Sequence, residues 1–233
     1  MTRLTLTFDN GPTPGVTERV LASLAARRLP AVFFVVGQRV LSDGGRRMVE
    51  QVAAAGHLIG NHSLTHTDAL GDRPDPAYAE REIGETFAVL ADLGLPTAMF
   101  RPPGNMGKIG SHLLSPGAVD LLLRERSTTI VWNSVPRDWE GPEWVDRLLA
   151  SVRAQEHTVA VLHDIGGGCA ELLDTALDRL LEVPDIEFTR EFPDEVVLTR
   201  DGQAVSLGPQ HVSGPWSSGR PQSPGLRAEG AIT

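Results

Sequence analysis

Short apolar and β-branched runs alternate with longer amphipathic ones along most of this chain, and that alternation limits the fold more than any other feature. Strands are predicted at RLTLTFD (3–9), AVFFVVG (31–37), HLIGNH (57–62), AMFRP (98–102), TIVWN (129–133), TVAVLHD (158–164) and IEFTR (186–190). Helical patterns fill the intervals at 15–28, 44–56, 76–94, 116–126, 142–155 and 170–182. Gly56 and Gly94 close two of these helices, and Pro116 and Pro142 open two others, where a missing N–H costs nothing. Strand–helix alternation repeated six or seven times calls for parallel strands joined by right-handed crossovers. A doubly wound open sheet and a closed barrel both satisfy it. The polar residues separate the two: Asp9, His62, Arg101, Asn133 and His163 each end a different predicted strand. In a barrel such ends converge on one mouth, whereas an open sheet brings together only those beside a switch point. The expected fold is therefore α/β, a distorted (β/α)7-type barrel with parallel strands.

Composition narrows the functional classes. A chain of 233 residues is long enough for one sizeable core, and its net charge of −9 without a basic stripe argues against nucleic acid as a partner. Cys169 is the single cysteine, so no intrachain disulfide can form. No apolar run approaches the length of a membrane span. The first residues enter a strand pattern with no leader before it, so a cytoplasmic location is expected. From 208 onward Gly, Pro and Ser predominate, which predicts a barrel domain over 1–207 and a disordered tail over 208–233.

Four constellations carry possible chemistry. In HSLTH, His62 and His66 are four apart, so in a helical turn both imidazoles would face one ion. With an oxygen donor from Asp9-Asn10, they would make the three-ligand set of a hydrolytic metal site. The plain alternative is a pair of loop histidines. In VLHD, His163 is placed to protonate a leaving group, although a capping histidine is the simpler reading taken alone. Arg101, held extended by the prolines after it, needs a carboxylate, and Asp9 or Asp138 would serve. Trp132 and Trp139 could wall a small acyl group or a sugar face, or simply fill the core.

Taken in order, TFDNGP, GNHSLTH, FRPPGN, PRDW and VLHD resemble the five motifs of the polysaccharide deacetylase family (the NodB-homology domain, carbohydrate esterase family four), over roughly residues 4–190. The resemblance implies metal-dependent hydrolysis of a carbon–nitrogen, non-peptide bond, the removal of an N-acetyl group from a small sugar or chitooligosaccharide. It implies Asp9 as general base, Arg101 holding it, Asp138 holding Arg101, and His163 as general acid. Asn10, His62 and His66 would hold a divalent metal, zinc or else cobalt or nickel. Trp139 and Leu162 would line the acetyl pocket, and a backbone N–H near Pro103 would meet the oxyanion. Two departures stand out. Asn10 takes the place of the family's usual aspartate, and Gly104 takes that of a tyrosine, which should remove an aromatic wall. Two other readings keep the fold: a hydrolase of cyclic amides, imides or ureides, and a carbohydrate-binding protein with a decayed site.

Overall fold

Every residue of the first strand from Leu4 to Asp9 is buried, so this strand has neighbours on both faces and both edges. In the computed structural model, which describes residues 1–216, the elements run β1 (Thr2–Asp9), α1 (Thr17–Arg27), β2 (Val32–Val35), α2 (Gly37–Val40), α3 (Gly45–Ala54), β3 (Leu58–Asn61), α4 (Pro76–Ala79), α5 (Glu85–Asp92), β4 (Met99–Phe100), α6 (Pro116–Arg124), β5 (Thr128–Ile130), α7 (Trp144–Ala154), β6 (His157–His163), α8 (Leu173–Leu181), β7 (Ile186–Thr189), β8 (Val197–Arg200) and β9 (Gln203–Ala204). All seven predicted strands and all six predicted helices are present.

The parallel strands are ordered β6-β1-β2-β3-β4-β5. β6 runs along one edge of β1, and the opposite edge is shared by β7 over Thr2–Thr5 and β2 over Thr7–Asp9. β5 and β6 close the ring without forming a regular ladder. Ser134 N donates to Val159 O at 3.2 Å, and Val161 N donates to Ser134 O at 3.0 Å. The Asn133 carboxamide completes the seam, with Nδ2 donating to His157 O at 2.8 Å and Oδ1 accepting from Val159 N at 2.7 Å. Asn133 was expected among the polar residues of the mouth; it is instead a side chain standing in for strand backbone.

Strand alternation divides the core. Leu4, Leu6 and Phe8 of β1 pack outward with Val20 and Leu24 of α1, Leu148 and Leu149 of α7 and Leu177 of α8. A second cluster gathers Val32, Phe34, Val159 and Val161 with Leu121 and Leu122 of α6. Helix ends follow local chemistry: Asp75 caps Ala77 N at 3.0 Å ahead of Pro76, and Ser115 caps Ala118 N at 3.2 Å ahead of Pro116. Gly56 and Gly94, at φ 82° and 71°, lie just beyond α3 and α5.

The structure departs from the expected pattern in two places. β8 and β9 form an antiparallel hairpin that extends the sheet beyond β5. Its turn is Asp201-Gly202, both at positive φ, 52° and 78°, as a two-residue hairpin turn requires. The expected tail also begins as ordered chain. Ser213 N donates to Leu114 O at 2.8 Å, and Val212 is buried, so 208–216 packs on the barrel. The remaining part of the predicted tail, 217–233, lies outside the described residues.

Candidate active site

The ends of β1 and β6 are in register, with Asp9 opposite His163, so strand parity turns both side chains to the same face. Asp9 is buried beside Arg101, the residue after β4. Arg101 Nη1 donates to Asp9 Oδ1 at 2.9 Å and to Thr7 Oγ1 at 2.6 Å, and Nη2 donates to Val131 O at 3.3 Å. Its guanidinium lies 4.0 Å from the Phe34 ring centroid. Arg101 is wholly buried, and a buried pair of this kind fixes the orientation of the carboxylate.

His62 follows β3 and approaches Asp9 from the other side, with Nε2 3.6 Å from Asp9 Oδ2. Its Nδ1 lies 2.8 Å from Arg101 O. A carbonyl only accepts, so Nδ1 carries the proton and the Nε2 lone pair is free. Burial pushes the His62 pKa down to about 3, against the pull of the Asp9 charge, and burial also lowers that of His66. Both rings are therefore neutral near pH 7, and their centroids are 4.7 Å apart.

The two histidines do not meet through a helical turn, as their spacing suggested. They sit in a loop in which Ser63 and His66 are left-handed, at φ 68° and 54°. Three contacts pin that loop. Ser63 N donates to Asn61 Oδ1 at 2.8 Å, His66 N to Ser63 Oγ at 3.0 Å, and Thr65 N to Glu82 Oε2 at 2.9 Å. Glu82 is buried in a π-helical turn, Glu80–Gly84, that joins α4 to α5.

Asn10 completes the group. It has φ 73°, a region asparagine tolerates better than most residues. Its Oδ1 is buried and has no hydrogen-bond partner. Among the described residues no three His, Cys, Asp or Glu side chains cluster as a metal site. The donor set that fits a divalent ion is mixed, with two neutral imidazoles and this orphaned amide oxygen around one pocket.

Across the pocket, His163 is tied to Asp138. Its Nδ1 donates to Asp138 Oδ1 at 2.7 Å, and its backbone N donates to Asp138 Oδ2 at 2.8 Å. Burial alone would lower the pKa of His163. The Asp138 hydrogen bond and charge, helped by Asp9 and Asp164, outweigh burial and raise it. Asp138 was expected to hold Arg101; it holds His163 instead, and the partners of Arg101 are Asp9 and Thr7. Strand parity accounts for the role of Thr7, which lies two residues before Asp9 on the same face.

The pocket encloses about 230 Å³ and is lined by Asp9, Asn10, His62, His66, His163, Trp132 and Trp139, with Val161 and Ile165 on the β6 side. Leu162, expected here, is buried in the outer core, because one step along a strand reverses the face; Val161 lines the pocket in its place. Pro103 is buried and does not line the pocket either, and a proline has no N–H to offer. Gly104 lines it instead. The aromatic wall expected to be lost at Gly104 comes from another element: a Cβ there would collide with the Trp132 ring, which Nε1 anchors to Gly107 O at 2.9 Å. Trp139 stands edge-on to His163, with centroids 5.0 Å apart.

Residues 2–111 match the family model described as polysaccharide deacetylase. A chitooligosaccharide deacetylase from Rhizobium leguminosarum bv. trifolii is 36% identical over 172 residues, which cover 70% of this chain and 71% of that protein. A peptidoglycan-N-acetylglucosamine deacetylase from Bacillus cereus is 31% identical over 183 residues, covering 76% of this chain and 79% of the relative. Among solved structures, a family 4 acetyl xylan esterase from Clostridium thermocellum, in complex with a cobalt ion, superposes with a TM-score of 0.65 at 28% identity, over 81% of this chain and 87% of that one.

Proposed function

The chain belongs to the polysaccharide deacetylase family, and from that premise we propose that it removes N-acetyl groups from a short N-acetylated sugar such as a chitooligosaccharide, with a divalent ion held by His62, His66 and Asn10. The observation that carries this reading is the arrangement of two proton-transfer groups on one pocket: Asp9, fixed by Arg101, and His163, hydrogen-bonded to Asp138.

An ion at this site would supply Lewis-acid polarisation of the acetamide carbonyl. The side chains of this chain do the rest. Asp9 accepts the proton of the attacking water, and Arg101 keeps its second oxygen engaged so that one lone pair stays aimed into the pocket. His163, whose hold on a proton Asp138 strengthens, donates to the departing amine nitrogen, since an amine leaves far more easily once it is protonated. Trp132, Trp139 and Val161 provide an apolar recess suited to an acetyl methyl group. A neutral donor at position 10 would leave a bound ion with more net charge and a weaker hold than a carboxylate would give.

The test is a matched pair of measurements on the natural protein and on Asn10→Asp. Zinc affinity by calorimetry should rise at least tenfold in the variant, and amine release from an N-acetylglucosamine oligomer should require added metal in both. Equal zinc affinity in the two proteins would remove position 10 from the ligand set. Amine release that survives exhaustive chelation would remove the ion from the reaction.

A further inference from the structure

Asn10 and Gly11 have a reactivity that deacetylation does not use. In an Asn-Gly pair the glycine amide nitrogen can reach the preceding carboxamide carbon with no Cβ in the way, which makes closure of a five-membered ring easier than before any other residue. Here Asn10 holds a left-handed backbone at φ 73°, and its buried Oδ1 is tied to nothing. Behind it lies Asp164, wholly buried, with a carboxylate packed so closely on Gly11 that a Cβ would collide with it. Thr17 Oγ1 donates to Asp164 Oδ2 at 2.6 Å, whereas Asp164 Oδ1 has no partner. Burial raises the pKa of this carboxyl group to about 6, while the Gly11 backbone amide is among the groups that favour its charged form, so the carboxylate is aimed at the Gly11 N–H.

We propose that Asn10 is a self-modification site: in the folded protein it is converted to aspartate through a cyclic imide with Gly11, with Asp164 as the proton acceptor. In the first step the Gly11 nitrogen bonds to Asn10 Cγ while its proton passes to Asp164. The Cγ–Nδ2 bond then breaks, and ammonia departs with the proton returned by Asp164. In the second step water adds to Cγ and the new Cγ–N bond breaks. That restores the Gly11 N–H and leaves a side-chain carboxyl group, which ionises. The net change is one water consumed and one ammonia released, with no oxidant or reductant. The product is a carboxylate facing the same pocket as the His62 and His66 rings. The consequence for the site rests on the reading of position 10 as an ion donor; the conversion itself does not.

Mass spectrometry of the peptide spanning position 10 tests this without reference to activity. The natural protein, held folded at neutral pH, should gain about 1 Da at that residue over time, with fragmentation marking a normal aspartyl linkage. Asp164→Asn should slow the gain at least roughly tenfold, and so should unfolding the natural protein in urea, a measurement that does not require the variant to fold. Asn10→Gln should show no gain at position 10. No gain in the natural protein, an isoaspartyl product, or a rate as fast in urea as in the folded state would each overturn the proposal. Zinc titration of fresh and aged protein separates the two readings. A mass gain without tighter zinc binding would uphold the conversion and sink position 10 as a donor.

Discussion

Asp138→Asn removes one charge and one acceptor from beside His163, and its effect can be worked out from the geometry. Asp138 takes two hydrogen bonds from a single residue, the ring Nδ1 at 2.7 Å and the backbone N at 2.8 Å. An asparagine has one acceptor and one donor there, so keeping either bond turns an NH2 group against the other N–H. Burial already favours the neutral ring, and Asp138 is the main influence opposing it. A hydrogen bond to a charged group contributes about 1.5–3 kcal/mol, and one pKa unit is about 1.4 kcal/mol, so the pKa of His163 should drop by roughly one to two units. The general acid must be protonated, so activity is lost as pH rises through this pKa. Lowering the value moves the alkaline limb of kcat to lower pH. Above both values the rate should fall by about ten- to a hundredfold. The assay is kcat for amine release across about pH 5 to 10, run beside an NMR titration of the His163 ring. If the ring pKa falls while the alkaline limb stays in place, His163 is not the proton donor. If the ring pKa itself does not fall, Asp138 is not what charges it.

Three further perturbations test other parts of the site. Arg101→Met leaves the buried Asp9 carboxylate without its cation and should cost about 3–5 kcal/mol in urea unfolding; wild-type stability would show that the pair does not act as a buried ion pair. Glu82→Leu removes the acceptor to which Thr65 N and Oγ1 both donate and should weaken zinc binding about 10- to 100-fold through the displaced His66 loop. Unchanged affinity would show that Glu82 does not position that loop. His62 has a folded-state pKa of about 3, below its ordinary 6.5. The unfolded chain therefore binds the proton first, so in chelator-treated protein stability is complete above about pH 6.5 and declines as pH falls toward 3, by roughly 1.4 kcal/mol per unit. His62→Gln should flatten that decline in urea midpoints measured against pH.

The sequence determined the strands, the helices and the identity of most of the chemistry, because these depend on local patterns. Periods of two and 3.6 mark buried faces, and Asp9, His62, Arg101 and His163 end strands whose direction is set by the crossovers. Asp201-Gly202 was also legible as a hairpin turn, but the strand–helix alternation masked it. Tertiary structure alone decided the pairings. Asp138 lies far along the chain from both Arg101 and His163, and only the seam that lays the segment after β5 along β6 brings it against His163. A one-residue difference in strand phase exchanged Leu162 for Val161 at the pocket wall, a distinction invisible in a run where both residues are apolar. Trp132 covers Gly104 from a different strand end, and Glu82 reaches the His66 loop from a helix, because contacts between residues far apart in sequence are chosen by the packing of whole elements.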